Sequence, residues 1–335
     1  MTLAFVLQTY KGLDQIEVLA RTLARGTKER LTVINHRGSK EERARLAAGE
    51  GVDHVLPSPG GRARFGVIDG LISSMRWLET QNKPYRWLLV MSGQDYPLRP
   101  LSELEAELAA SDLDGYLHHF GALNETEAMA EPMRWSQALV DERYLFQYAL
   151  LKEDVSRLDR AILKVPRHLI EWSSRNYRLH TSFALMYGRR AAETPFTADF
   201  KLYGGNYWMT ISRKAVRAVL DFVDERPDIV NYFRNVIAPE EAFLPTVLAN
   251  NPKLRLTRRE LRYADFARTQ HGSLRVLSMS DLGPVLASGC YLARKFDFKR
   301  DPDVREALDN VIFRSPVPHG LRVVGSTRDI FPRAS

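Results

Sequence analysis

Trp87-Leu-Leu-Val-Met-Ser-Gly-Gln-Asp-Tyr-Pro97 joins a continuous apolar run to an abrupt polar turn. Such a run suits a strand buried on both faces, as in the middle of a largely parallel sheet. The surrounding sequence repeats the alternation that such a sheet needs. Leu3 to Leu7 is apolar and gives way to Gln8-Thr-Tyr-Lys-Gly12, after which Leu13 to Ala24 carries Ile16, Val18, Leu19 and Leu23 at helical spacing. Leu31 to Asn35 reads as a strand, Ser39 to Ala48 as a charged helix, Val52 to Leu56 as a short strand and Val67 to Glu79 as a helix. The fold class is therefore α/β. Ligands of open α/β sheets bind outside the carboxyl ends of the strands, so the loops after Leu7, Asn35 and Met91 are edges of one crevice. Residues 1–110 have the size and pattern of a nucleotide-binding half.

Composition narrows the classes. The 335 residues are 44% hydrophobic and 27% charged, enough for a substantial core and too apolar for a disordered chain. No apolar run reaches the roughly 18–20 residues of a membrane-spanning helix. Met1 to Leu7 lacks the basic start and small-residue cleavage site of a signal peptide. The single cysteine, Cys290, excludes an internal disulfide framework and fits a reducing compartment. The net charge of +7 permits an anionic ligand, an acidic membrane surface or nucleic acid. Against nucleic acid, the basic residues are interleaved with acidic ones, as in Lys40 to Arg45 and Arg255 to Arg262, with no recognisable binding module.

From Tyr116 to Ala198 the pattern is less regular and rich in aromatic and basic residues, among them Trp135, Arg143, Tyr144, Tyr148, Trp172, Tyr177 and Tyr187. This stretch reads as an elaboration of the substrate side. Regular signals resume at Lys201 to Ile211, a glycine-broken strand, followed by a helix with Ser212 as its N-cap. Pro239 to Ala249 reads as one helix, and Met279 to Leu286 as another capped by Ser280.

Catalytic motifs are informative mainly by elimination. The sequence has no phosphate-binding G-x-x-x-x-G-K-[ST], no G-x-G-x-x-G, no G-x-S-x-G and no HExxH, which argues against ATPase, dehydrogenase, hydrolase and zinc-protease readings. On a strand, His118 and His119 would point to opposite sides and bind no common metal. Asp112-Leu-Asp114 and Asp301-Pro-Asp303 have a metal-binding spacing, but neither follows a strand into the crevice. Glu240 and Glu241 diverge by about 100° on a helix, so they do not flank one bond as a glycosidase pair would. One carboxylate at a helix start suits a general base, and equally suits a first-turn residue that serves only the helix dipole. Asp95 either positions a sugar or caps the turn at Pro97. Tyr207 and Trp208 either offer an aromatic face to a sugar or belong to the core.

Five segments in order resemble glycosyltransferase family 14, the core-2/I-branching β-1,6-N-acetylglucosaminyltransferases and peptide xylosyltransferases. Ser92-Gly-Gln-Asp-Tyr-Pro97 is similar to the family's SG-x-D-[YF]-P, and Arg64-Phe-Gly66 to its WG element. Tyr203-Gly-Gly-Asn-Tyr-Trp-Met-Thr-Ile-Ser-Arg213 resembles GSQWW-x-L-[ST]-R, and Ala238-Pro-Glu-Glu-Ala-Phe-Leu-Pro-Thr-Val-Leu248 resembles PDE-x-F-x-x-T-x-L. Leu292-Ala-Arg-Lys-Phe-Asp297 is similar to FARKFD.

The resemblance implies a GT-A-like fold, a mixed sheet flanked by helices with an elaborated acceptor side. It implies one catalytic domain over residues 1–300, with a nucleotide-binding half at 1–110, an acceptor and catalytic half at 111–300, and a C-terminal extension at 301–335. It further implies an inverting transfer that forms a β-linkage, with Glu241 as general base, Arg294 and Lys295 at the donor diphosphate, and no metal or other cofactor. Cationic side chains would then stabilise the departing diphosphate. Gln8, Thr9, Asn35, His36 and Arg64 fall to the nucleotide, and Asp95, Tyr207, Trp208, Glu240 and Phe266 to the donor or acceptor sugar. Phe266, in Arg262-Tyr-Ala-Asp-Phe266, stands where the family often has an acceptor-contacting Trp.

Departures from the family pattern leave other features open. Val33-Ile-Asn-His-Arg-Gly-Ser39 lacks the nucleotide-contacting Asp of the animal members, placing Asn35 or His36 there. Gly205-Asn206 replaces Ser-Gln. The expected partners are a nucleotide-sugar donor, UDP-linked and of the N-acetylglucosamine or xylose class, and a glycan, small-molecule or lipid-linked acceptor. The absence of the animal enzymes' anchor and disulfide cysteines implies a bacterial-type cytoplasmic protein, with peripheral contact at the inner membrane face allowed. The rival reading is a catalytically silent nucleotide- or sugar-binding protein on the same fold.

Overall fold

The computed structural model describes residues 1–61, 63–131, 134–266 and 274–313. It begins with β1 (Leu3–Thr9), α1 (Leu13–Gly26), β2 (Arg30–His36), α2 (Lys40–Ala47), β3 (His54–Pro57), α3 (Gly66–Glu79) and β4 (Trp87–Ser92). These four strands are parallel, with β1 between β2 and β4. Strand order thus reverses between β1 and β4, and the carboxyl ends of those strands open a crevice.

After β4 the chain makes β5 (Asp95–Pro97), α4 (Leu101–Ala110), β6 (Gly115–Tyr116), β7 (His119–Gly121), α5 (Glu125–Ala130) and α6 (Gln137–Tyr144). Next come β8 (Phe146–Lys152), α7 (Arg157–Ser173), β9 (Tyr177–His180) and β10 (Leu185–Arg190), whose strands form a separate antiparallel sheet. β11 (Tyr203–Gly205) pairs with β7, and β12 (Thr210–Ser212) joins the main sheet antiparallel to β4. The remainder is α8 (Arg213–Glu225), α9 (Pro227–Arg234), a 3-10 turn at Pro239–Glu241, α10 (Phe243–Ala249), β13 (Leu256–Thr257) and β14 (Arg262–Ala264). A second 3-10 turn at Met279–Asp281, α11 (Leu282–Ala287), β15 (Leu292–Arg294) and α12 (Pro302–Phe313) complete it.

The main sheet runs β13-β6-β12-β4-β1-β2-β3 and mixes parallel with antiparallel pairs. Its central strands divide their side chains between two cores with period two. Ala4 and Val6 of β1, with Leu88 and Val90 of β4, pack against residues of α3, α8 and α10. Leu3, Phe5 and Leu7, with Trp87, Leu89 and Met91, pack against residues of α1, α4 and α12. The expected mixed sheet flanked by helices is present. β14, β15 and β5 form a small sheet of their own beside the second core.

Several local expectations are corrected. Pro239 to Ala249 is not one helix, because the Ala242 amide bonds to the Pro239 carbonyl and Ala242 then leaves helical geometry at φ −134°. Both glutamates therefore sit on a separate 3-10 turn ahead of α10. The cap near Met279 is Ser278, whose amide donates to Asp281 at 2.8 Å, rather than Ser280. Tyr116 to Ala198 holds the β8–β9–β10 sheet and the 17-residue α7. At the start of the 301–335 stretch, Val304, Leu308 and Ile312 of α12 are buried in the second core, and residues 314–335 lie outside the described residues.

Tyr96 fastens α12 in place. Its hydroxyl lies 2.8 Å from Thr22 Oγ1 on α1 and donates to Asp309 Oδ1 at 2.7 Å, inside a ring contact with Phe298. Tyr96→Phe keeps the ring and removes both bonds, for an expected loss of roughly 1–2 kcal/mol in denaturant unfolding. An unchanged stability would show that these bonds do not hold α12.

Candidate functional site

The turn after β4 is closed by Asp95, which is fully buried. Its carboxylate accepts from the Ser92 amide at 2.8 Å and from Ser92 Oγ at 3.2 Å. Two arginines converge on the same carboxylate. Arg294 Nε from β15 is 3.3 Å from Oδ1, and Arg262 Nε from β14 is 3.6 Å from Oδ2. The small sheet enforces this meeting by pairing Arg294 with Asp95 across one ladder and with Ala264 across the other. Arg262 also donates to the Val90 carbonyl at 2.9 Å, and the Arg294 guanidinium stacks 4.0 Å from the Trp208 ring.

Two guanidiniums face the carboxylate of Asp95 in a nearly buried place, and Arg262 also lies within electrostatic reach of Glu260. Both arginines are under one-tenth exposed, and each Nε lacks a hydrogen-bond partner. Burial lowers the Arg294 pKa to about 10, with Asp95 opposing the shift. Gln15 of α1 ties this region together, donating to the carbonyls of Gly93 and Phe296 and accepting from the Phe298 amide. Lys295 follows Arg294 directly, and its carbonyl accepts from the Leu277 amide. Asp95 thus does cap the turn, and both its oxygens are occupied by Ser92 and the arginines.

The second cluster centres on the 3-10 turn. Glu241 Oε2 accepts from Arg143 Nη1 at 2.5 Å, and the Arg143 guanidinium also lies 5.2 Å from the Trp135 ring. Burial disfavours the Arg143 charge, but Glu241 and Tyr144 together outweigh it and hold its pKa above the ordinary value. Glu240 turns inward. Burial first, and the neighbouring Glu241 charge second, push its carboxyl up to about 8, and its Oε2 has no hydrogen-bond partner. The two adjacent glutamates are thereby separated into one group held by an arginine and one half-buried acid whose Oε2 is shielded from solvent.

Backbone strain shapes this turn. Ala63 and Ala238 take left-handed φ values of 56° and 50°, each costing on the order of 1 kcal/mol, and the Ala238 amide donates to the Ala63 carbonyl. The Ala238 carbonyl in turn accepts from the Tyr144 hydroxyl at 3.1 Å. Tyr207 is a core residue whose hydroxyl donates to the Val67 carbonyl, and burial raises its pKa well above the usual value. Its ring adjoins Trp208 edge-on at 5.1 Å, so the pair runs from the Glu240 side to Arg294. Only Trp208 of the two is partly exposed.

Gln8, Thr9, Asn35 and His36 lie at the carboxyl ends of β1 and β2, all buried. Thr9 Oγ1 is 2.8 Å from His36 Nδ1, and burial lowers the His36 pKa. Gln8 Nε2, Asn35 Oδ1 and His36 Nε2 have no hydrogen-bond partner, which is costly for buried groups unless another molecule satisfies them. Arg64 instead pairs with Glu153 at 2.6 Å. Phe266 is partly buried just beyond β14.

Other candidate metal ligands are engaged elsewhere. Asp114, at the amino end of β6, holds Lys214, Ser212 and the Arg255 amide, while Asp112 pairs with Arg255. Asp301 accepts from the Met279 and Val304 amides. His118 pairs with Glu131 at 2.7 Å, and His119 bonds to the Leu117 carbonyl. Among the described residues no three His, Cys, Asp or Glu side chains are placed to hold one metal ion. Arg143 and Arg262 are the site residues that sequence reading missed. Both stood in quoted stretches, but nothing local marked a partner 98 residues away for Arg143 or 167 residues away for Arg262.

Residues 3–284 match the family model described as Core-2/I-branching enzyme. No curated protein sequence matches the chain. Among solved structures, the apo form of mouse xyloside xylosyltransferase 1 aligns at 8% identity over 88% of this chain and 97% of that one, with a TM-score of 0.35. Galactosyltransferase LgtC in complex with donor and acceptor sugar analogs aligns at 9% identity over 94% and 98%, with a TM-score of 0.32. A 4-diphosphocytidyl-2C-methyl-D-erythritol synthase from Anaerococcus prevotii aligns at 9% over 85% and 97%, with a TM-score of 0.31. All three likenesses are distant.

Glu240 makes stability depend on pH in a defined direction. Its folded pKa of about 8 lies above the ordinary 4.5, so the folded state binds the extra proton in between. Its contribution is fully present below about pH 4.5 and is lost as pH rises through 8. Glu240→Gln should flatten the decline in melting temperature between pH 5.5 and 8.5 by at least ~1 kcal/mol, roughly 1–2 °C for a chain of this length. Parallel wild-type and variant curves would refute the neutral acid.

Proposed function

Because the chain belongs to the Core-2/I-branching enzyme family of glycosyltransferases, we propose that it transfers a sugar from a nucleotide diphosphate donor to an acceptor hydroxyl. We read its mixed sheet as GT-A-like and its transfer as inverting, β-forming and independent of divalent metal. The observation that carries this reading is the buried Asp95–Arg262–Arg294 cluster at the strand-end crevice. Its guanidiniums are fixed in place before any ligand arrives, which is the arrangement that stabilises a leaving diphosphate most effectively. Arg262 joins Arg294 and Lys295 in that role. Guanidinium groups suit it because their planar donors match phosphate oxygens.

Glu241 takes the proton from the acceptor hydroxyl as that oxygen attacks the anomeric carbon opposite the departing diphosphate, forming one C–O bond as the other breaks. Arg143 positions the carboxylate through the 2.5 Å ion pair. Glu240, half-buried beside it, holds its own proton and so adds no second charge to the turn. Trp208 presents its ring beside Arg294 and offers an apolar face to a pyranose. Gln8, Asn35 and His36 bring unsatisfied polar atoms to the nucleoside end. The donor is assigned to the UDP-linked N-acetylglucosamine or xylose class, and the acceptor to a glycan or a small-molecule or lipid-linked hydroxyl.

The test is release of nucleoside diphosphate from a panel of UDP, GDP and dTDP sugars, with product analysis. Glu241→Gln should lower kcat by roughly 100-fold or more while leaving donor affinity nearly intact. A variant that keeps a tenth of wild-type turnover would remove Glu241 from the role of base. Donor binding without turnover by the wild-type chain would favour a silent binding protein. Activity should also survive EDTA, and a loss that Mn²⁺ restores would overturn the metal-independent mechanism.

A further inference from the structure

Helix α7 buries none of its residues fully, yet it carries a continuous apolar stripe. Leu158, Ile162, Val165, Leu169 and Trp172 are each between 57% and 87% exposed, and they recur at spacings of four, three, four and three. At 100° per residue they fall within an arc of about 80° on one face. The opposite flank holds the helix to the protein, with Leu163 and Ile170 partly buried and β9 beneath. Exposed Leu150 and Leu151 on β8 add apolar surface beside the start of the helix. An apolar stripe this continuous on a surface marks an interaction site rather than scattered exposure.

The charges around the stripe identify what covers it. Arg157, Arg160, Lys164 and Arg167 are on this helix, against Asp159 and Glu171. Both acids are already occupied, Asp159 by Lys152 at 2.8 Å and Glu171 by Arg167 at 3.6 Å. Arg157 and Lys164 border the stripe, and among the described residues neither has a carboxylate partner. Trp172, the most exposed of the apolar residues, stands at the helix end, and tryptophan favours the boundary between lipid and water. A second copy docking through the same face would bring like-charged arginines and lysines towards each other. An anionic lipid surface meets both the stripe and its cations.

We propose that α7 is a peripheral membrane-docking helix, lying in the interface of an anionic bilayer with Leu158, Ile162, Val165, Leu169 and Trp172 inserted and Arg157 and Lys164 at the headgroups. This surface does not depend on the chemistry proposed for the crevice. Its place in the fold suits a lipid-linked acceptor, because the strand before α7 is fastened beside the candidate base. Tyr148 of β8 bonds to the Asn235 carbonyl, and Glu153 pairs with Arg64 next to the Ala63–Ala238 contact.

Vesicle sedimentation with the whole chain tests the proposal. The wild type should bind phosphatidylcholine vesicles containing phosphatidylglycerol at least tenfold more tightly than pure phosphatidylcholine, and less tightly as salt rises. Ile162→Glu with Leu169→Glu should lower binding at least tenfold, and Arg157→Ser with Lys164→Ser should lower it by roughly fivefold per residue. These positions are exposed, so circular dichroism should show an unchanged fold. Wild-type emission should shift to the blue on binding, and Trp172→Phe should remove that shift. No binding to anionic vesicles, or equal binding to both lipids, overturns the proposal. So does a wild-type dimer that Ile162→Glu dissociates and that has no affinity for lipid, since the stripe would then be a contact between copies.

Discussion

A single buried carboxylate organises the crevice. Asp95 sits where β4 ends, takes up the Ser92 amide and hydroxyl, and sets two arginines from distant parts of the chain against itself. Burying three ionisable groups is costly unless they compensate one another, and removing one partner from such a set typically costs about 3–5 kcal/mol. Without Asp95, Arg262 and Arg294 would be two like charges in a place almost closed to water. The carboxylate therefore allows the small β14–β15–β5 sheet to carry its arginines into the crevice. Both guanidiniums are thereby held at the end of β4, where the proposed function places the donor diphosphate.

From that cluster the structure passes to the glutamates through two adjacent aromatic residues. Trp208 covers Arg294, and Tyr207 packs behind it with its hydroxyl on α3. Beyond Tyr207 lies the strained 3-10 turn, where Ala63 and Ala238 hold left-handed conformations against each other. The strain has a geometric result, since Pro239 and Ala242 set the turn apart from α10 and send Glu240 inward and Glu241 towards Arg143. Two chemically identical neighbours are thus given different environments. Environments of this kind are how proteins obtain separate behaviour from paired carboxylates.

The unit around α7 follows different rules. Elsewhere apolar stripes turn towards one of the two cores, as Ile16, Leu19 and Leu23 of α1 do. In α7 the larger stripe turns away, and of its apolar residues only Leu163 and Ile170 are partly buried. A helical period on its own cannot distinguish these cases, because it records that one face is apolar and not what that face meets.

Much of the architecture was legible in the sequence for local reasons. The buried run Trp87 to Met91 and the alternation of short apolar runs with helical periods determined the parallel strands. The ordered segments from Arg64 to Asp297 pointed to the family that the matched residues 3–284 show. Ser212 announced its helix because capping depends on the next three residues alone, and its hydroxyl accepts from the Ala215 amide. The tertiary structure decided what local pattern could not hold. It split Pro239 to Ala249, packed α12 into the core, buried Tyr207 and set two arginines against Asp95. It also supplied Arg143 to Glu241 and Arg262 to Asp95. These ion pairs and buried contacts arise between residues roughly a hundred or more positions apart, and only the folded chain brings them within hydrogen-bonding and Coulombic reach.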